Sequence, residues 1–501
     1  MRWPIPTAIS STAKAFLHRQ FFLKNGIPPS IRLCKLRAFC SSVDYREILR
    51  SGLDGIEHDE AVYLFKYMAE SRPLPHIIEF NKVLTAIAKM HSYDTVIRLW
   101  SIVEKEEDIE ISPDIYTCNI LVKCFCSCYQ PCLALSFLGK MMKLGVEPDV
   151  VTDSLLVSGF CRINRNYEAL YVVEQMKKMG VAPNVVVYTV LIDGLCRSGF
   201  LNEAVKRFGW MEKEGVTPNV FTYTSLISGL CNACKLSEAS HLLREMISRN
   251  IDPNVVTFTV LIDAYVKAGK FSKFKELSQE MIKMSIDPNV FTYTSVINGL
   301  CMHNHVDIAV EAYKDMLSNG CAPNVLTYST LANGFFKSNM FKKGIELFQE
   351  MSDRGVAENI VSRNTLIQGC FQAGKISAAE QLLEKMPAHG LSPNIRSYNI
   401  VLAGLFSYGK VKLAMGKYED MQKTRNDLDI VTYTIMIHGM CKDGKADEAY
   451  KLFCSLSSYG VEPDDKAYTA MISGLKKNGM LARAHALTRI YQKYKRNRGS
   501  I

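Results

Sequence analysis

Long apolar runs, catalytic signatures and spacer segments are all missing from this chain. No stretch of 18 consecutive apolar residues occurs in its 501 residues, which argues against a membrane-spanning helix. There is no Walker loop, no Gly-x-Ser-x-Gly elbow and no His-Glu-x-x-His pair, so common NTPase, hydrolase and zinc-protease chemistries find no footing. The zinc-deaminase signature, His-x-Glu followed by Pro-Cys-x-x-Cys, is absent too. The reading is of a protein that is not an enzyme and needs no cofactor. Acidic residues are missing from positions 1–42, which carry Arg2, Lys14, Arg19, Lys24, Arg32, Lys35 and Arg37. These seven account for most of the net charge of +10, leaving +3 for the remainder. Global charge is therefore a weak argument for a nucleic-acid partner.

What the chain does have is a period. Pro148-Asp149, Pro183-Asn184, Pro218-Asn219, Pro253-Asn254, Pro288-Asn289 and Pro323-Asn324 recur every 35 residues, and Met141, Met176, Met211, Met246, Met281 and Met316 keep a second copy of that register. A fixed period of this size marks a stack of identical supersecondary units rather than a globular enzyme. With the Pro-Asn/Asp pair at positions 34 and 35, thirteen units follow: 42–76, 77–114, and eleven of 35 residues from 115 to 499. The acid-free, hydroxyl-rich leader 1–41 has the composition of an organellar presequence. A mitochondrial address is expected, with a chloroplast one as the alternative.

Within a unit, Val220, Tyr223, Leu226, Ile227 and Leu230 fall at helical spacing. Gly or Asn at position 15 (Gly199, Gly269, Asn164, Asn304) offers the left-handed geometry that closes a helix. Polar residues at position 18 (Asn202, Ser237, Ser272, Ser377, Asp447) suggest caps for a second helix. Glycine at position 10 and alanine at position 20 imply close helix–helix approach. The fold class expected is all-α, a solenoid of about 13 helix-turn-helix units. Of the sixteen cysteines, Cys126, Cys161, Cys196, Cys231, Cys301 and Cys441 share one repeat position, as buried thiols do. No tetrahedral metal set is expected.

The run Val-Val-Tyr-Thr-Val-Leu-Ile-Asp-Gly-Leu-Cys-Arg-Ser-Gly (186–199), closed by Gly-Val-Thr-Pro-Asn (215–219), resembles the pentatricopeptide repeat over residues 42–499. The uniform 35-residue units resemble its P class, and segments such as Leu138–Gly145 its restorer-of-fertility-like subgroup in land plants. The resemblance implies a right-handed solenoid that binds single-stranded RNA of an organellar transcript, one base per unit, with any cleavage left to a recruited nuclease or other processing factor. An organellar scaffold that binds protein is the alternative.

Two positions bear that reading out of composition alone. Position 5 is confined to Asn, Thr or Ser in units two to twelve: Asn81, Asn119, Ser154, Thr189, Thr224, Thr259, Thr294, Ser329, Asn364, Asn399 and Thr434. Position 35 in the same units is Asp114, Asp149, Asn184, Asn219, Asn254, Asn289, Asn324, Asn359, Asn394, Asp429 and Asp464. Capping alone could explain position 35. It does not explain why position 5 lacks Lys, Glu, Gln and Ala, which solvated helix positions favour. Position 2 supplies walls for stacked bases: Ile78, Tyr116, Val151, Val186, Phe221, Val256, Phe291, Leu326, Val361 and Val431. Ordinary helix-start packing is the competing explanation, and Arg396 and Lys466 break the row. Position 13 offers Lys89, Arg162, Arg197, Lys267, Lys337, Lys442 and Lys477 for phosphates. The family's code, carried over pair by pair, matches Asn/Asp with U, Asn/Asn with C or U, Thr/Asn or Ser/Asn with A, and Thr/Asp with G. Units two to twelve then spell UUAAAAAA(C/U)UG.

Overall fold

The structure, a computed structural model, describes residues 45–53, 55–104, 111–423 and 428–498. The presequence expected at 1–41, residues 105–110 of unit two and Gly499 of unit thirteen lie outside them. The chain divides into two compact bodies, Met1–Pro253 and Asn254–Ile501. Each is built from one two-helix hairpin used again and again, so the fold is an α-solenoid with no strand among the described residues. Unit five shows the pattern in the first body, with helices Val185–Arg197 and Leu201–Lys213; unit nine shows it in the second, with Val325–Lys337 and Phe341–Asp353. No helix among the described residues is long and apolar enough to cross a membrane.

Local chemistry sets each boundary. Position 35 caps the first helix of the following unit, whose thirteen residues occupy positions 1–13. Position 15 then takes positive φ, with Gly199 at 81° and Asn164 at 58°, which is why Gly and Asn recur there. The second helix corrects one expectation. It begins at position 17, and its N-cap is position 16 (Phe200, Lys235, Lys270), with no side-chain hydrogen bond to the first turn. Asn202, Ser237 and Ser272 therefore sit inside the helix rather than capping it. The cap is backbone-only because position 16 closes the tight turn that follows position 15.

The core lies between the two helix layers and along the seams between units. Alanines at position 20, including Ala134, Ala169, Ala204 and Ala309, are completely buried. Glycine at position 10 lies at a seam: a Cβ on Gly194 would stand 2.3 Å from Cys161 Sγ and 2.4 Å from Cys161 Cβ, and Gly159 faces Cys126 in the same way. In the second body the knob is Val266 against Gly299 and Phe371 against Gly404. The shared cysteine position is thus a packing position. Burial pushes the thiols of Cys126, Cys161 and Cys196 up to about 12, so they stay protonated and unreactive.

Candidate nucleic-acid interface

Positions 2, 5, 9 and 13 fall on one face of a first helix, three or four residues apart. First helices of successive units pack side by side within each body, so these faces join into a strip. The ten apolar side chains at position 2 all point out along it. They range from 50% exposed for Leu326 to 72% for Tyr116. Helix-start packing cannot be their explanation, since packed side chains would be covered. A regular row of apolar groups left in water calls for a partner with flat apolar faces. Arg396 and Lys466 are exposed in the same register.

Position 35 does cap, in all eleven units. Asp114 accepts from the Thr117 backbone N–H at 2.8 Å, Asn289 from Thr292 at 3.1 Å, and Asp464 from Ala467 at 2.8 Å. Each cap uses Oδ1 alone. The N–H donors fix which way each amide faces, because only its oxygen can accept. The second atom, Nδ2 of Asn or Oδ2 of Asp, is not needed by the cap. Burial alone would raise the Asp114 and Asp149 carboxyls, but the hydrogen bonds from Thr117 and Asn81, and from Thr152 and Asn119, outweigh it and hold both below the usual value. Both are ionised at neutral pH.

Position 5 is buried or half-buried beside these caps. Where it is Asn and position 35 is Asp, the two bond across 30 or more residues: Asn81 Nδ2 donates to Asp114 Oδ1 at 3.0 Å, Asn119 to Asp149 at 3.3 Å, and Asn399 to Asp429 at 3.4 Å. The structure also brings in a residue that sequence reasoning passed over. Position 3 of the following unit is Thr117, Thr152, Thr222, Thr257, Thr292, Thr327 or Thr432, each almost fully buried. The Thr117 hydroxyl donates to Asn81 Oδ1 at 2.7 Å, and Thr152 to Asn119 at 2.6 Å. Thr432 meets Asn399 at 2.8 Å. With threonine at position 5 the contact becomes a hydroxyl pair: Thr189–Thr222 at 2.7 Å, Thr259–Thr292 at 2.6 Å and Thr294–Thr327 at 2.8 Å. The signal was there, since Thr or Ser occupies position 3 in nine of the eleven units from 115 onward.

The seven basic residues at position 13 are all exposed. Two of them have an aspartate one turn earlier, at position 9: Arg197 pairs with Asp193 at 2.9 Å and Lys267 with Asp263 at 2.6 Å. Such half-exposed pairs contribute about 0–1 kcal/mol and exchange readily for another anion. In the second body the strip deepens into a recess of about 910 Å³ around Arg396, Asn399, Ala403, Asp429 and Val431. That is room for a nucleobase, with Asn399 of position 5, Asp429 of position 35 and Val431 of position 2 on its wall.

Unit four departs at position 4, where Tyr188, Tyr223 and Tyr328 stand fully buried in other units. It has Asp153 instead, 2% exposed, with an Oδ1 that meets no hydrogen-bond partner. Burial, with the Asp149 charge adding to it, raises this carboxyl from 3.8 to about 7. A folded-state value above the unfolded one means stability present at low pH and lost as pH climbs toward 7, at a slope of at most about 1.4 kcal/mol per pH unit. Asp153→Asn is expected to melt higher than the unmodified protein at pH 7, with the gap narrowing as pH falls and closing only below the unfolded value of 3.8. A gap in Tm that does not vary with pH would contradict this.

Fold and strip together define a helical-repeat protein with one polar seam per unit. Family comparison agrees: a model described as "PPR repeat family" matches nine overlapping segments spanning 113–337 and 358–477, and a "PPR repeat" model matches 326–356 and 466–489. The chain belongs to the pentatricopeptide repeat family. A pentatricopeptide repeat-containing protein of Arabidopsis thaliana is 63% identical over 153 residues, 29% of this chain and 30% of that protein. A second from the same plant, named as mitochondrial, is 47% identical over 135 residues, 26% of this chain and 24% of its own length. The matched stretch thus spans under a third of these relatives. Among solved structures, the pentatricopeptide repeat protein PPR10 in complex with an 18-nt psaJ RNA element superposes with a TM-score of 0.64, at 20% identity, over 97% of this chain and 71% of that one. This shows the shared fold.

Proposed function

We propose that this protein binds single-stranded RNA of an organellar transcript and reads it one base per unit. The observation that carries the proposal is the exposed apolar row at position 2, set beside a second row of polar atoms that the caps leave over. Bases are flat, apolar on their faces and polar on their edges, and stacking each on a side chain contributes roughly 1–3 kcal/mol. The crystallised relative PPR10 holds RNA on the same fold.

The chemistry of position 35 suggests how bases are told apart. Asn and Asp cap alike through Oδ1, and the second atom, which the cap does not use, is a donor in Asn and an acceptor in Asp. A and C present an unprotonated ring nitrogen on the Watson–Crick edge, which suits Asn; G and U present a ring N–H, which suits Asp. Position 5 would then select size, with short Thr or Ser leaving space for a purine and longer Asn reaching a pyrimidine. Units two to twelve give 5′-UUAAAAAA(C/U)UG-3′. This RNA is expected to bind more tightly than a scrambled RNA of equal composition in filter-binding titrations at one stated salt concentration. Equal affinities would reject base reading; no RNA binding at all would favour a protein-binding scaffold. Affinity should fall with salt by about 0.7 log units per log unit for each neutralised phosphate. Processing, stabilisation or translational control of the transcript would follow from occupancy of the site, with cleavage supplied by a recruited nuclease.

The leader and the mitochondrial relative support a mitochondrial address. A fusion of residues 1–60 to a fluorescent reporter is expected to enter mitochondria, and chloroplast or cytosolic fluorescence would overturn that.

A further inference from the structure

Units differ in how firmly position 5 is held, and the difference follows one residue. Six threonines at position 3 of the next unit bond through their hydroxyls to position 5 across the seam: Thr117, Thr152, Thr222, Thr292, Thr327 and Thr432. Where position 3 is anything else, that bond is missing. Val187 follows unit four, and the Ser154 hydroxyl turns back to its own helix, donating to the Val151 carbonyl at 2.8 Å. Ala467 follows unit twelve, and Thr434 donates to Ile430 in the same way. Ser362 and Ser397 follow units nine and ten. There the Ser329 Oγ and Asn364 Oδ1 are buried with no partner.

Capping does not account for this pattern. Ser362 and Ser397 complete capping boxes with Asn359 and Asn394 as Thr152 and Thr327 do with theirs. A capping box therefore needs only a hydroxyl, and the cap itself not even that, since Val187 and Ala467 are capped as well. The threonine methyl restricts χ1, which keeps the oxygen between positions 5 and 35. The freer serine hydroxyl of Ser362 swings onto the Asn359 carbonyl at 2.8 Å, while that of Ser397 stays on Asn394 Oδ1 at 3.0 Å and leaves Asn364 Oδ1 without a partner.

We infer that position 3 of each following unit is a positioning residue for base selection: threonine there locks the position-5 side chain, and its replacement leaves a looser reader. This rests on the base-reading proposal above. Units four, nine, ten and twelve then discriminate less sharply than units two, three, five, seven, eight and eleven. A locking hydrogen bond is worth a change of about three- to ten-fold in affinity ratio.

The test uses the full chain and 11-nucleotide RNAs of the proposed target that differ at a single base. Thr327→Ser keeps the capping hydroxyl and should lower the preference for A over C at base seven, read by unit eight, by about three- to ten-fold. Ser362→Thr introduces a residue already accommodated at this position in seven other units, and should raise the same preference at base eight. Melting temperatures measured alongside show whether a change is merely one of stability. Opposite shifts, each confined to its own base, support the inference. Ratios unmoved at both bases, or an equal loss of affinity for every RNA, overturn it while base reading stands. An unmodified protein with no preference at base seven removes base reading, and this inference with it.

Discussion

Asn289→Asp is expected to turn the sixth base of the target from A to G. Asn289 caps the first helix of unit eight through Oδ1, which accepts from Thr292 N–H at 3.1 Å. Aspartate caps as well, so the helix start and the melting temperature should hardly change. Only the atom that the cap does not use differs, Nδ2 donating in one case and Oδ2 accepting in the other. An acceptor repels the bare ring nitrogen of adenine and pairs with the ring N–H of guanine. By analogy with base-edge readout in DNA, one such contact is worth about 1–3 kcal/mol, so the A/G affinity ratio should shift by one to two orders of magnitude. Lys337→Ala is the control. Lys337 is exposed and has no carboxylate within ion-pair distance among the described residues, so its loss should weaken all RNAs alike. Lys267 is a poorer control because Asp263 already holds it. An unchanged A/G ratio in Asn289→Asp would reduce position 35 to a cap.

Gly194→Ala is expected to destabilise the solenoid, although alanine is the better helix former. A methyl group there meets Cys161 Sγ at 2.3 Å and Cys161 Cβ at 2.4 Å. The Cβ is one bond from the backbone, so the two first helices must move apart. Overpacking of this kind costs typically 1–3 kcal/mol, against a propensity gain of about 1 kcal/mol. Gly209→Ala isolates the second term. It lies within the helix Leu201–Lys213, and nothing stands within 4 Å of its would-be Cβ, so it should stabilise. The paired variant Gly194→Ala with Cys161→Gly should recover part of the loss. Thermal melts that show Gly194→Ala and Gly209→Ala shifting in the same upward direction would contradict the seam geometry.

The architecture was readable because the constraints that build it repeat. Left-handed φ at position 15 favours Gly or Asn, and the crowded seam at position 10 favours Gly, so each marks its place in nine units. The second-helix cap was misread, since Ser237 and Asn202 look like caps but the turn geometry moves the helix start two residues earlier. Positions 5 and 35 stood out through their narrow composition. What sequence could not show was their connection. Thr117 sits 36 residues from Asn81, and its threonine reads locally as one more helix-start residue. Exposure at position 2 was equally hidden, because an apolar residue at a helix start is usually covered, and Phe291 at 68% exposed is not. Asp193 beside Arg197 was legible at four-residue spacing, yet it tempers the phosphate role only once both are seen on the same strip.

The central claim is that this seam reads bases in register with the units. Its most direct measurement is a titration of the unmodified protein against the eleven-base target and every RNA that differs from it at one base. The expected profile has its deepest losses where a position-3 threonine bonds to position 5, with adenine required at bases four, six and seven and uridine at bases one, two and ten. Each mismatch there should cost roughly 1–3 kcal/mol, on the scale of base mismatches in DNA sites. A flat profile, in which all single-base variants bind with the affinity of the target, would contradict the account and leave a groove that holds RNA without reading it.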